Sequence, residues 1–308
     1  MSEISASLVK ELRSQTGAGM MDCKKALMET GGDIEQSIDW LRTKGLSAAA
    51  KKSTRVASEG LVGIATKGTS GALVEVNAET DFVARNPEFQ KFVLNVAEVA
   101  LSAGTNLEQL KKTIYPGTNH SVDQELIEMV GKIGENMVLR RMQVLSVSKG
   151  IVAGYLHNSV VPNAGKIGVL IGLESEGSAK TLEEFGHKLA MHICAARPVA
   201  LDTKSIDPQL VERERTVLKE QAGTSGKPPE IVEKMVDGRL RKYYQEVVFE
   251  EQLFVIDGES TVKKVLTAFE KELESSVKVS EFVRFELGEG VEKEDEDFAA
   301  EVAAQIKK

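Results

Sequence analysis

Cysteine is nearly absent from this 308-residue chain, which carries only Cys23 and Cys194. Two isolated thiols cannot support a disulfide framework, and their scarcity points to a reduced, cytoplasmic setting. An excess of positive charge is also missing. The formal net charge is -8, with no Lys/Arg-rich run, which argues against nonspecific nucleic-acid binding. No apolar run approaches the ~18 residues that span a bilayer, so no membrane contact is expected. The start, Met1 to Ser5, lacks the basic and apolar regions of a signal peptide. There are four histidines, and the two on one helical stretch, His187 and His192, are five apart, which misses the i, i+4 spacing of paired metal ligands. Both cysteines fall at apolar helical positions and read as structural. A Walker lysine loop is lacking, and Gly60, Gly63, Gly68 and Gly71 fit a hairpin rather than a phosphate cradle. No acid, base or nucleophile constellation recommends an enzyme.

What is present is a globular composition, 42% hydrophobic and 28% charged, long enough for roughly two or three domains. Residues 1–55 read as a module of three short helices. Ser5 or Ser7 caps the first, with Leu8, Val9 and Leu12 on one face. The second runs from about Met20 to Glu29 with Met21, Cys23, Ala26 and Leu27 inward, and Gly31-Gly32 stops it. Asp33 caps the third, with Gln36 placed to complete a capping box, and residues 47–55 follow as a polar, partly helical connector. Met20 and Met21 fit either an adaptable contact surface or ordinary core filling.

The middle of the chain uses one plan twice. Gly60–Ala65 and Ala72–Asn77 read as a hairpin followed by a helix from Pro87, with Asn86 as its N-cap. Gly150–His157 and Lys166–Ile171 repeat that hairpin, followed by a helix striped with Leu182, Phe185, Leu189, Ala190 and Ile193. Each copy is expected to build a three-stranded antiparallel sheet covered by helices, an α+β layout. In the first copy the connection between strand and helix carries Glu79-Thr80-Asp81-Phe82-Val83; the second makes its connection without an aromatic. Phe82 either folds back on its own helix while Asp81 caps it, or projects toward a partner. Residues 206–248 read as an antiparallel helical arm, with Leu210, Val211 and Leu218 facing Ile231, Met235 and Leu240 across a reversal at 223–229. The expected boundaries are then 56–148 and 149–205 for the two sheet subdomains, 249–290 for completion of the second, and 291–308 for a last helix striped with Phe298, Val302 and Ile306.

The run from Leu8 to Leu27, together with Thr80-Asp81-Phe82-Val83-Ala84, Lys132-Ile133-Gly134-Glu135-Asn136, Met191-His192-Ile193, Ser225-Gly226-Lys227-Pro228 and Arg284 to Gly290, resembles the bacterial elongation factor Ts family in order and across almost the whole chain. The resemblance implies a non-enzymatic guanine nucleotide exchange factor for elongation factor Tu. It implies that the first module has the ubiquitin-associated fold, and that Met20, Met21 and Lys24 dock on the GTPase. It places Thr80, Asp81, Phe82 and Val83 near the GTPase's magnesium, with Ile133 and His157 as further contacts. The factor itself is expected to need no cofactor and to bind no metal or nucleotide. Pairing of two Tu-bound complexes is a further expectation, through the central sheets or the arm. The loop 158–165 departs from the family pattern, being longer than in its compact members, so the resemblance is weakest beside His157. A scaffold that uses the three-helix module for helical partners and the arm to oligomerise is the competing reading, and it has no need of Asp81 or Phe82.

Overall fold

A computed structural model describes residues 4–16, 18–223 and 228–291; the side chains of Leu46 and Ala48 are outside that description. The expected last helix, the acidic run that leads into it and most of the arm's reversal lie outside the described residues. The fold is α+β. It divides into two compact units, 1–63 with 74–142 and 286–308, and 64–73 with 143–285, whose boundary runs through the first sheet strands.

The first unit opens with α1 (Ala6–Thr16), α2 (Met20–Glu29) and α3 (Ile34–Lys52). Val9, Leu12, Cys23, Ala26 and Leu27 are buried together, with Ile34, Ile38 and Leu41 packed on them. Gly31 and Gly32 take positive φ after α2, as a helix stop requires. Asp33 caps α3 by accepting the Gln36 N–H at 2.8 Å. The box stays half made, because the Gln36 amide reaches the Asp33 carboxylate at 3.4 Å instead of its backbone. Of the connector expected over 47–55, residues 47–52 are helical and form the end of α3, which stops at Lys52. Alanines and lysines favour helix, and α3 packs on α6 (Val122–Ile133). A Cβ on Gly131 would lie 3.3 Å from the Gly45 Cα, so the two helices cross closely.

Strands β1 (Glu59–Lys67) and β2 (Ser70–Ala78) form the first hairpin, followed by α4 (Pro87–Ala103). Phe89, Phe92, Val93, Val96, Ala97 and Ala100 are all fully buried along α4, and Asn86 caps it by accepting the Glu88 and Phe89 N–H groups. A short helix not read from the sequence, α5 (Leu107–Lys112), precedes α6, and β3 (Met137–Ser146) follows it. The second hairpin joins β4 (Ile151–His157) to β6 (Ile167–Glu174), antiparallel with His157 opposite Ile167, and α7 (Ala179–Ala196) follows. The expected α7 stripe, Leu182 to Ile193, is buried.

The sheets are four-stranded, β3-β2-β1-β5, and three-stranded, β4-β6-β7, where β7 is Lys278–Glu286. The first sheet therefore has one strand more than expected. The extra strand is β5 (Ala164–Gly165), drawn from the long loop, where the Asn163 carbonyl accepts the Ile64 N–H at 2.9 Å. An unpaired edge invites such capping. The arm pairs α8 (Pro208–Gly223) with α9 (Pro229–Val247). Its seam is Leu218, Ala222, Val236 and Leu240, with Val211 and Val232 beside them, whereas Leu210 and Ile231 are exposed. The phase on α9 is shifted from the expected one because Val232, Val236 and Leu240 make a strict i, i+4 row. Then α10 (Val262–Leu273) leads back to β7.

Candidate functional site

The corner between β2 and α4 is built from opposite ends. β2 is buried along its length after Ser70, including Glu75 and Asn77, so the chain leaves the core at Glu79. The Glu79 carboxylate accepts the Asn136 N–H and faces the Arg55 guanidinium at 3.4 Å, while the Asn136 amide donates to the Arg55 carbonyl at 2.7 Å. Glu135 takes the next residue with both oxygens: the Thr80 N–H at 2.9 Å and the Thr80 hydroxyl at 2.8 Å. A carboxylate accepting two hydrogen bonds from one residue fixes both its backbone and its side chain. Beyond Phe82, one turn of 3-10 helix over Val83–Arg85 buries Val83 and Ala84. The Gln90 amide donates to the Ala84 carbonyl at 2.9 Å.

Between these anchors two neighbouring side chains project. Phe82 is 74% exposed. Asp81 is exposed and caps no helix; it meets Arg85 at 3.5 Å across i, i+4, with both side chains in solvent. The folded-back reading of Phe82 is therefore wrong for this chain, because its neighbours Val83 and Ala84 already fill the corner's interior. Val83, expected with the contact residues, is 3% exposed and serves as an anchor.

The other expected residues fall in distinct places. Met20 and Met21 are 48% and 76% exposed at the start of α2, and Lys24 is exposed one turn on, so the core-filling alternative does not apply to either methionine. Ile133 ends α6, two residues before Glu135, and is half-buried. His157 belongs to the second unit, exposed at the end of β4, with its Nδ1 3.0 Å from the Tyr155 hydroxyl. His192 is buried in α7: its Nδ1 accepts the Val255 N–H at 3.3 Å, leaving Nε2–H to donate to Gln252 Oε1 at 3.0 Å. Burial pushes its pKa down, partly opposed by the Gln252 bond.

Sequence reasoning did not assign roles to Glu79 or Glu135. The motif that contains Glu135 was visible, but a bond across 55 residues leaves no local signal. Another carboxylate, Glu75, is fully buried in β2. Arg140 Nη1 reaches it at 3.0 Å, Arg141 Nε contacts its other oxygen, and the Gly288 N–H donates at 2.9 Å. Arg141 also donates to the Glu286 carbonyl at 2.9 Å. Two arginines and a backbone donor offset the desolvation of this charge.

A family model described as "Elongation factor TS" matches residues 79–289. Among curated proteins, the chain is 60% identical over 304 residues to elongation factor Ts of Rhodospirillum centenum, which covers 99% of each chain. It is 59% identical over 305 residues to that of Paramagnetospirillum magneticum, covering 99% of this chain and 98% of the other. To that of Rhodospirillum rubrum it is 58% identical over 309 residues and the whole of both chains.

Proposed function

Because this chain belongs to the elongation factor Ts family, and so to the translation elongation factors, we propose that it is the non-enzymatic guanine nucleotide exchange factor for elongation factor Tu in the cytoplasm. One observation carries the mechanism: a large apolar ring stands 74% exposed on a corner braced at both ends. The exposed three quarters of the ring contributes little to the fold where it stands, and a rigid ring loses little entropy on insertion. Phe82 enters between helices of the GTPase and displaces the support of its magnesium, which with a phosphate-cradling loop holds GDP. Asp81, whose solvent-exposed ion pair with Arg85 is worth little, turns its carboxylate toward the β-phosphate and disfavours it. Met20, Met21, Lys24 and Ile133 add contact surface, and His157 contributes from the second unit. Factor and nucleotide then weaken each other's binding, typically by ~1 to 3 kcal/mol and by more in an efficient exchange factor.

The test is release of a fluorescent GDP from elongation factor Tu with and without the purified chain. Acceleration is expected, and an unchanged rate refutes the proposal. Phe82→Ala separates recognition from stability. A Phe side chain presents on the order of 200 Å², so the buried quarter is worth about 1 kcal/mol to the fold and the remainder up to about 4 kcal/mol to a complex. Exchange should fall by on the order of 100-fold or more with little change in melting temperature. A large drop in melting temperature with unchanged exchange would show that the ring serves the fold.

A further inference from the structure

We propose that His120, Glu125 and Glu128 form a binding site for a single divalent transition cation of the zinc class. One ligand atom from each residue lies within 4.8 Å of the others. His120 Nδ1 is 3.1 Å from Glu128 Oε1 and 3.5 Å from Glu125 Oε2. That nitrogen is shielded from solvent yet makes no hydrogen bond, so closeness to two carboxylates does not satisfy it. A buried ring nitrogen without a hydrogen bond, flanked by two carboxylate oxygens, matches a coordination shell that lacks its cation.

The site is held in place from outside. The Thr118 hydroxyl accepts the His120 N–H at 3.1 Å, and the Tyr115 N–H donates to the His120 carbonyl at 2.8 Å. Ser121 and Gln124 close a full capping box that sets the first turn of α6, from which Glu125 and Glu128 project on one face at i, i+3. One imidazole with two carboxylates suits zinc, cobalt or manganese better than calcium or magnesium, which take all-oxygen shells. A tetrahedral ion draws its ligand atoms to roughly 3.3 Å apart, close to the 3.1 and 3.5 Å that already separate His120 Nδ1 from the two partly buried carboxylates. His120 and Glu128 also line a cavity of about 400 Å³, together with Ile127 and Lys132, which leaves room for water beside the site. This departs from the expectation that the chain binds no metal, and it is independent of the exchange function.

The experiment is cobalt and zinc titration of the full chain, by visible d–d absorption and equilibrium dialysis. One equivalent should bind, and cobalt should shift NMR resonances most strongly at residues 113–132 and at the α3 residues packed on α6. His120→Asn and Glu128→Gln, each checked for an unchanged melting curve, should each weaken binding at least about ten-fold. Glu125→Gln serves in place of either variant that fails to fold. No binding by the wild type, shifts elsewhere, or affinity unchanged in any folded variant overturns the site.

Discussion

Replacing Glu135 by Ala tests whether the projecting pair depends on its brace. The carboxylate holds Thr80 through two bonds, at 2.9 and 2.8 Å, in a partly buried setting. Hydrogen bonds to a charged acceptor are worth roughly 1.5 to 3 kcal/mol each. Partial exposure puts these near the lower end, for a combined loss of about 3 kcal/mol in the free energy that keeps the corner closed. Amide hydrogen exchange reads this directly. Protection of the Thr80 N–H should fall by on the order of 100-fold, since about 1.4 kcal/mol is a factor of ten. The Asn136 N–H, held by Glu79, should change much less. Glu135→Gln keeps one acceptor oxygen and can donate its amide to the Thr80 hydroxyl, so the loss should be about half as large in free energy. Nucleotide release from elongation factor Tu should slow in the same order, Ala more than Gln, although Phe82 is intact. Freeing even one or two residues costs roughly 1 to 2 kcal/mol apiece to re-order on binding. Unchanged Thr80 protection in Glu135→Ala would refute the brace; loosened protection with full exchange activity would refute its relevance to Phe82.

Two other perturbations probe the framework. Glu75→Gln leaves Arg140 and Arg141 around a neutral group, so it should cost about 3 to 5 kcal/mol in chemical denaturation and raise exchange at the Gly288 N–H. Burial lowers the His192 pKa below its usual 6.5, so only the unfolded chain takes up that proton as pH falls through 6.5. The contribution is therefore complete above 6.5 and is lost with a slope of up to about 1.4 kcal/mol per pH unit below it. The difference in stability between wild type and His192→Gln should shrink over that window; a difference that is flat with pH would show His192 to be equally protonated in both states.

Where a signal was periodic it was legible. The stripes of α4 and α7, the hairpins and the Asn86 cap all follow from spacing and cap chemistry, because burial of one face is a local pattern. The exposure of Phe82 was suggested by comparing the two repeats, because the second makes this connection without an aromatic. What escaped was set by tertiary pairing. β5 is two residues long and exists only because β1 offers it an edge. The arm's seam differs from the expected one because charged helices with few apolar residues leave the phase ambiguous, and packing chose Val232 and Val236 over Ile231 and Met235. Val83 carries the same apolar character as Phe82 in sequence, and only the turn direction separates an anchor from a projecting ring.

The brace also sets an order of events during synthesis. Glu79 and Thr80 wait for Asn136 and Glu135, which leave the ribosome 57 and 55 residues later. Closing so long a loop costs entropy before any bond repays it, and α6 must dock first. Until then the nascent chain carries Phe82 on an unfixed connection, an apolar ring open to unintended contacts. The corner that carries the exposed ring is thus shaped only after the chain through Asn136 has emerged, and Glu75 in the preceding strand waits longer still, for Gly288.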